Sequence, residues 1–356
     1  MPGRSRVPLR DYAARRVALL KPSALGDIIH SLPVLTALRR RYPDAHITWV
    51  VNRSYEPLLR GHPHLDETLP FDRRSAAGLS GLPRLARFLA ELRRRRFDLV
   101  VDLQGLFRSG LMALASGAVR RVGLSSAREG ATWAYTDVVR VADFHAVHAV
   151  DRYWLAAEAL GAGGEKDFHV PVSAEARAWA RQALRGCPRP WLAVGPGSRW
   201  ETKRWPPGHF AALLRRAQAR FGGTAVFVGA ADEAALSEAV RTQLEGPSLD
   251  LTGRTALPQL AAVLAEADAM LANDTGPLHL AAALGRPVVA PYTCTKVLLN
   301  GPYGAGRGAV ETTVWCRGSY VKRCGRMECM AELTPDRLWP ALHEVLRTWE
   351  SRSRPA

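Results

Sequence analysis

Residues 16–35 read RVALLKPSALGDIIHSLPVL, and the period of the pattern changes halfway along. Residues 17–20 are apolar at every position, which suits a strand covered on both faces of its sheet. Lys21 and Pro22 stop that run, and Gly26 permits a tight turn. From Asp27 to Tyr42 the apolar residues return at helical spacing. Strand, short loop, helix is the opening of a βαβ unit. Asp27 at the junction has two readings. It is a preferred N-cap that suits the positive end of a helix. It is also a carboxylate on a loop that open α/β sheets turn toward their ligands, where a general base belongs.

The alternation continues outward. Residues 46–51 (HITWVV), 97–103 (FDLVVDL) and 120–124 (RRVGL) read as strands, and residues 82–96 (LPRLARFLAELRRRR) and 105–115 as helices. Over residues 161–190 Gly and Pro cluster around a single helix, and then a second series begins. Strands are expected at 191–195, 224–229, 268–273 and 287–292, with helices at 210–222, 232–244, 257–267 and 277–285. Strands alternating with helices predict parallel sheets. The expected fold is α/β, two Rossmann-like domains facing across a cleft, with residues 1–175 forming the first domain and 176–334 the second. Residues 335–356 form a last helix, with Thr334 as N-cap and Pro335 at its first position, expected to pack back on the first domain.

Charge narrows the partners. Against 33 Asp and Glu the chain carries 49 Lys and Arg among its 356 residues, a formal charge of +16. That implies anionic company: nucleic acid, an anionic membrane face or phosphorylated substrates. No apolar run of transmembrane length occurs, and the basic start has no apolar core of a secretory signal before Lys21. Five cysteines, an odd count without a signal, suit a reducing compartment. Cys316, Cys324 and Cys329 do not have a familiar zinc spacing, so no metal site is expected.

Three loops of the second series can carry chemistry. Residues 273–289, NDTGPLHLAAALGRPVV, leave a strand and enter a helix with Pro277 at its start. The N–H groups of Thr275, Gly276 and the first turn then make an anion site at the helix N-terminus. His279 is either a donor to a phosphate oxygen or a buried core histidine. Asp274, which would repel phosphate, caps the helix or accepts from sugar hydroxyls. In residues 194–210, VGPGSRWETKRWPPGHF, Ser198 and Lys203 suit a diphosphate, or the loop is simply basic surface. In residues 227–233, FVGAADE, Asp232 or Glu233 accepts ribose hydroxyls or caps a helix. No Gly-x-Gly-x-x-Gly opens either series, which disfavours hydride transfer.

Taken together, SALGDIIHSLPVL, VDLQGLFRSG, GPGSRWETKRWP, NDTGPLHLAAALGRPVV and GPYG resemble the lipopolysaccharide heptosyltransferases of glycosyltransferase family 9, over most of residues 16–340. DLQGLFRSG followed by SSAREG resembles type I more than type II. The resemblance implies a GT-B fold and an inverting transfer without cofactor or metal. It also implies acceptor binding on the first domain and ADP-heptose on the second. It places the general base on Asp27, with Lys203 meeting the leaving group. Donor contacts fall on Ser198, Lys203, Asp274, Thr275, Gly276 and His279, with Glu233 and, less directly, Asp232 at the ribose. The implied acceptor is lipid A bearing 3-deoxy-octulosonate, an anionic lipid. Ser23, Gly26, Arg73, Arg120 and Arg128 are the expected acceptor contacts. The protein is then expected as a monomer, cytoplasmic and peripheral at the inner membrane. One loop departs from the family: TCTKVLLN, residues 293–300, stands where a Pro-Thr-Asp-Pro-like turn is usual.

Three other readings remain at this stage. One is a family 9 enzyme for another nucleotide sugar or acceptor. A second is a nucleic-acid binder driven by charge, although no helix-turn-helix, zinc finger or RNA-binding aromatic motif is visible. A nucleotide-sugar epimerase of the same two-domain architecture is a third.

Overall fold

The computed structural model describes residues 7–72, 79–304 and 306–353. The chain divides into two units, Met1–Pro171 and Val172–Ala356.

In the first unit the elements run β1 (Arg16–Leu20), α1 (Leu25–Arg41), β2 (His46–Asn52), α2 (Glu56–Leu59), β3 (Glu67–Phe71), α3 (Leu82–Arg94), β4 (Leu99–Asp102), α4 (Phe107–Ser116), β5 (Arg120–Leu124), β6 (Asp137–Val139) and α5 (Ala149–Ala159). All strand pairs are parallel, in the order β3-β2-β1-β4-β5-β6. The chain reverses its winding direction between β1 and β4, the switch point of a doubly wound sheet, where ligands bind beyond the carboxyl ends. Register puts Leu20 level with Asp102, so Lys21 and Leu103 leave the sheet side by side. One face of the sheet packs Ala18, Leu20, Val50 and Val100 against Leu92 of α3 and Met112 of α4. α1 is buried almost continuously from Ile28 to Leu38 and packs on α5.

In the second unit the elements are α6 (Ala174–Ala183), β7 (Trp191–Gly195), α7 (Pro207–Phe221), β8 (Thr224–Phe227), α8 (Ala234–Arg241), β9 (Ser248–Asp250), α9 (Leu257–Glu266), β10 (Ala269–Ala272), α10 (Gly276–Ala283), β11 (Val288–Tyr292), α11 (Val297–Asn300), β12 (Ala309–Glu311), α12 (Glu328–Glu332) and α13 (Pro335–Ser353). The order β12-β11-β10-β7-β8-β9 is the same winding, with its switch point between β7 and β10. Gly195 pairs with Ala272 there, and the Asn273 N–H continues the ladder to Gly195 O at 3.1 Å.

Several elements depart from expectation. The C-terminal helix α13, expected on the first domain, sends Leu338, Leu342 and Leu346 into the core of the second beside Phe210, Leu213 and Leu214 of α7. Burying each of these leucines stabilises that placement by roughly 2 kcal/mol. The short edge strands β6, β9 and β12 were not anticipated: each has three residues and none fully buried, so no alternation marks them. α5, which carries a site residue, was also missed.

Candidate active site

The first unit builds its site from the loop after β1, the end of β4 and the start of α5. α1 begins at Leu25, with Ala24 as N-cap, so Asp27 occupies the third helical position. From there its Oδ2 reaches back to accept the Ala24 N–H at 3.1 Å, which satisfies an otherwise orphan donor. Asp27 thus closes the first turn without being the N-cap itself. Gly26 lies inside this turn in helical conformation, so the loop makes no use of glycine's special backbone freedom there. Oδ1 accepts from the Tyr153 hydroxyl at 3.0 Å. The Lys21 Nζ donates to that same hydroxyl at 2.8 Å and to Leu103 O at 3.0 Å, and lies 3.8 Å from Asp27 Oδ1.

Lys21 is buried, and burial lowers its pKa against the opposing pull of Asp27 and Asp102. Burial, then the Asp27 charge, pushes the Tyr153 phenol well above its ordinary range. Burial also raises Asp102 at the end of β4, where Gln104, Gly105 and Tyr135 donate to it. Gln104 in turn accepts the Ser23 N–H at 3.2 Å. The Asp27 side chain remains 39% exposed beside this dry cluster. It is a carboxylate held by two donors with one side open, which is the form a general base takes.

The second unit builds its site from the loops after β7, β8 and β10. Asn273 ties two of them: its side-chain amide donates to Pro196 O at 2.7 Å and accepts the Trp205 N–H at 3.1 Å. α10 then starts at Gly276, and among the described residues no chain acceptor takes the N–H of Thr275, Gly276 or Leu278. Asp274 caps nothing. Its Oδ2 accepts from Lys203 Nζ at 2.5 Å and Thr295 at 2.7 Å, and its Oδ1 from His279 Nε2 and the Tyr292 hydroxyl, both at 3.3 Å. Burial opposes ionisation of this carboxyl, but His279 and Lys203 hold it well below the usual carboxylate range. His279 is therefore a buried partner of Asp274 through Nε2, not a donor to a ligand from that nitrogen. Lys203 also lies 4.6 Å from the centre of the Trp200 ring.

Glu233 is half-buried, accepts the Ala230 N–H at 2.9 Å, and lies against Gly197: a Cβ there would stand 2.2 Å from the Glu233 carboxyl carbon. Asp232 is exposed. Ser198 is buried beside them, its carbonyl accepting from Arg204 at 2.7 Å.

Arg120 is a correction. It is the first residue of β5, at the end of the sheet opposite Asp27, and is buried at 3% exposure. Its Nε lies 3.3 Å from Asp137 Oδ2 without an aligned hydrogen bond, and the guanidinium sits over Tyr12. It packs against Asp137 of β6 and Tyr12 at the end of the sheet away from Asp27. Arg128, by contrast, is exposed on the loop after β5, near enough for its charge to act on Lys21 and Tyr153. Arg73 lies outside the described residues. The five cysteines are free thiols, and no group of three or more His, Cys, Asp or Glu among the described residues is arranged to hold a metal.

Tyr153, Lys21, Tyr292 and Thr295 escaped the sequence reading. Only Lys21, a charge ending an apolar strand, left a local signal.

Two doubly wound sheets, one presenting a carboxylate and the other a helix N-terminus at their switch points, define an α/β transferase of the GT-B class. Residues 85–330 match the family model of glycosyltransferase family 9 (heptosyltransferase). The chain is 32% identical to lipopolysaccharide heptosyltransferase 1 of Pseudomonas aeruginosa over 319 residues, 87% of each chain. It superposes on the E. coli ADP-heptose lipopolysaccharide heptosyltransferase II with a TM-score of 0.76 at 25% identity, covering 94% of this chain and 99% of that one. With the E. coli heptosyltransferase solved with ADP the TM-score is 0.73 at 25% identity, over 93% and 99%. The chain belongs to glycosyltransferase family 9 and is a glycosyltransferase.

Proposed function

We propose that the chain transfers heptose from ADP-heptose to the 3-deoxy-octulosonate of a lipid A-type acceptor, with inversion at the anomeric carbon. The observation that carries this reading is the Asp27 carboxylate, held on both oxygens and open on one side. The acceptor hydroxyl attacks the anomeric carbon and gives its proton to Asp27. The bond from that carbon to the diphosphate oxygen breaks, and ADP leaves with the electron pair. The N–H groups of Thr275 and Gly276, with Ser198 and Lys203, meet the charge on the leaving diphosphate. Glu233 receives the ribose hydroxyls, with Asp232 at the edge of that region. The reading uses no metal.

Ser23 and Gly26, beside Asp27, and the exposed Arg128 receive the anionic acceptor. Among the described residues no helix is long and apolar enough to cross a membrane. The relation to a lipid surface is instead peripheral, at the cytoplasmic face. An exposed segment supports it: Trp315 is 81% exposed, and Arg317, Lys322 and Arg323 follow within eight residues, all exposed. Aromatic and basic residues together suit an anionic bilayer.

The test is Asp27→Asn, with transfer and ADP binding measured on the same preparation. Transfer falls by about 1000-fold while ADP affinity holds; undiminished transfer removes the mechanism. A second reading, another nucleotide sugar or acceptor, draws on Thr295, which comes from the divergent TCTKVLLN loop and touches Asp274. A thermal-shift screen of ADP- and UDP-sugars separates the two.

A further inference from the structure

We infer that Tyr153 is a positioning residue for Asp27, and that Lys21 decides which way the tyrosine hydroxyl points. This rests on Asp27 as the base.

A phenol has one proton to donate and lone pairs with which to accept. The Lys21 ammonium has only protons to give, and it stands 2.8 Å from the Tyr153 oxygen. The hydroxyl therefore accepts from Lys21, and its single proton is left for Asp27 Oδ1 at 3.0 Å. Lys21 cannot swing away, because Leu103 O holds it at 3.0 Å and the Tyr153 ring lies 4.5 Å from Nζ. The chain of donors runs one way, from β1 through α5 to α1. The Ala24 N–H takes the other carboxylate oxygen at 3.1 Å, so the plane of the carboxylate is fixed by one donor on each oxygen.

A lysine at 2% exposure is costly to a core, and an aliphatic residue would fill the same strand end without that cost. That cost has a use if the ammonium serves the carboxylate. The charged groups acting on this cluster are Asp102 at the end of β4, Arg152 of α5 and Arg128 on the loop after β5. Of these, Arg152 donates to Val147 O at 2.8 Å and Asp102 to no one, accepting instead from Tyr135 at 2.8 Å.

The experiment compares wild type with Tyr153→Phe, Lys21→Met, the double variant and Asp27→Asn, each checked by circular dichroism and melting. The readout is the pH profile of kcat and the KM for the nucleotide sugar. Phenylalanine keeps the ring and removes the proton that favours the ionised carboxylate. In Tyr153→Phe the acid limb of the kcat profile should move up by about one pH unit, kcat at its plateau should fall about tenfold, and donor KM should not change. Lys21→Met should move the limb in the same direction, and the double variant should cost no more than the worse single, because both act through one carboxylate. An unmoved acid limb in a folded Tyr153→Phe, with Asp27→Asn inactive, overturns the inference and leaves the base in place. Active Asp27→Asn instead removes the base, and the inference with it. If Lys21→Met does not fold, Tyr153→Phe decides alone.

Discussion

Lys203 and Asp274, 71 residues apart in the chain, meet at 2.5 Å beneath the start of α10. The lysine expected to face a leaving diphosphate is thus already paired. Its charge reaches a ligand as part of a buried cluster with His279, Tyr292 and Thr295.

Lys203→Met should therefore cost stability as well as binding. Removing it leaves Asp274, only 6% exposed, without its one lysine. Losing one partner of a buried pair costs about 3–5 kcal/mol, and the three remaining donors place this case near the lower bound. The variant should melt several degrees below wild type and bind ADP at least tenfold more weakly. A melt equal to wild type would show the pair to be energetically idle.

Gly197→Ala should separate binding from stability. A methyl there displaces the flexible Glu233 carboxyl, not backbone, so the melting temperature should move little. If Glu233 holds the ribose, ADP affinity should fall as far as in Glu233→Ala, and the double variant should fall no further. Titration calorimetry on the three proteins checks this.

Arg120→Met should lower stability by about 1–2 kcal/mol, since it removes the cation beside Asp137 while Thr136 Oγ1 still donates to that carboxylate at 2.7 Å. The KM for the acceptor, measured per folded enzyme, should not change. A raised acceptor KM with an unchanged melt would restore the acceptor role that the structure denies it.

His62 predicts acid sensitivity in the first unit. Its Nδ1 accepts the His64 N–H at 3.2 Å and its Nε2 lies 3.1 Å from His169 O. Burial, then the neighbouring His169 and His64, pushes its pKa down to about 4 from 6.5. The unfolded chain binds that proton first, so the ring's contribution is present above pH 6.5 and is lost as pH falls from 6.5 to about 4. The loss is on the order of 3 kcal/mol. Denaturant melts across that window should be steeper for wild type than for His62→Asn, which has no proton to gain; parallel curves would contradict the assignment.

The local part of the site was legible in the chain. The loop before Asp27 and the DTGPLH turn sit between an apolar run and a helical pattern, and both features come from neighbours within a dozen residues. What the chain did not tell was which distant residues surround Arg120 and Asp274. Arg120 was expected to meet the acceptor because it stands near the AREG stretch of the family resemblance, and nothing in RRVGL tells that its side chain lies beside Asp137 and Tyr12. Asp274 was expected to cap the helix or to accept from sugar hydroxyls, and nothing in DTGPLH tells that its four partners come from the loop after β7, the helix α10, and β11 with the loop that follows it.

By itself the sequence determined the alternation of strand and helix, the two switch-point loops and the acid at position 27. Periodicity and turn chemistry act over a few residues, and they are written in order along the chain. Only the tertiary structure decided that Asp27 would meet Tyr153, 126 residues away, and that Lys21 would be buried between them. Strand order and register set those meetings: β1 lies beside β4, α5 packs on α1, and a side chain's partners depend on which elements the sheet brings together.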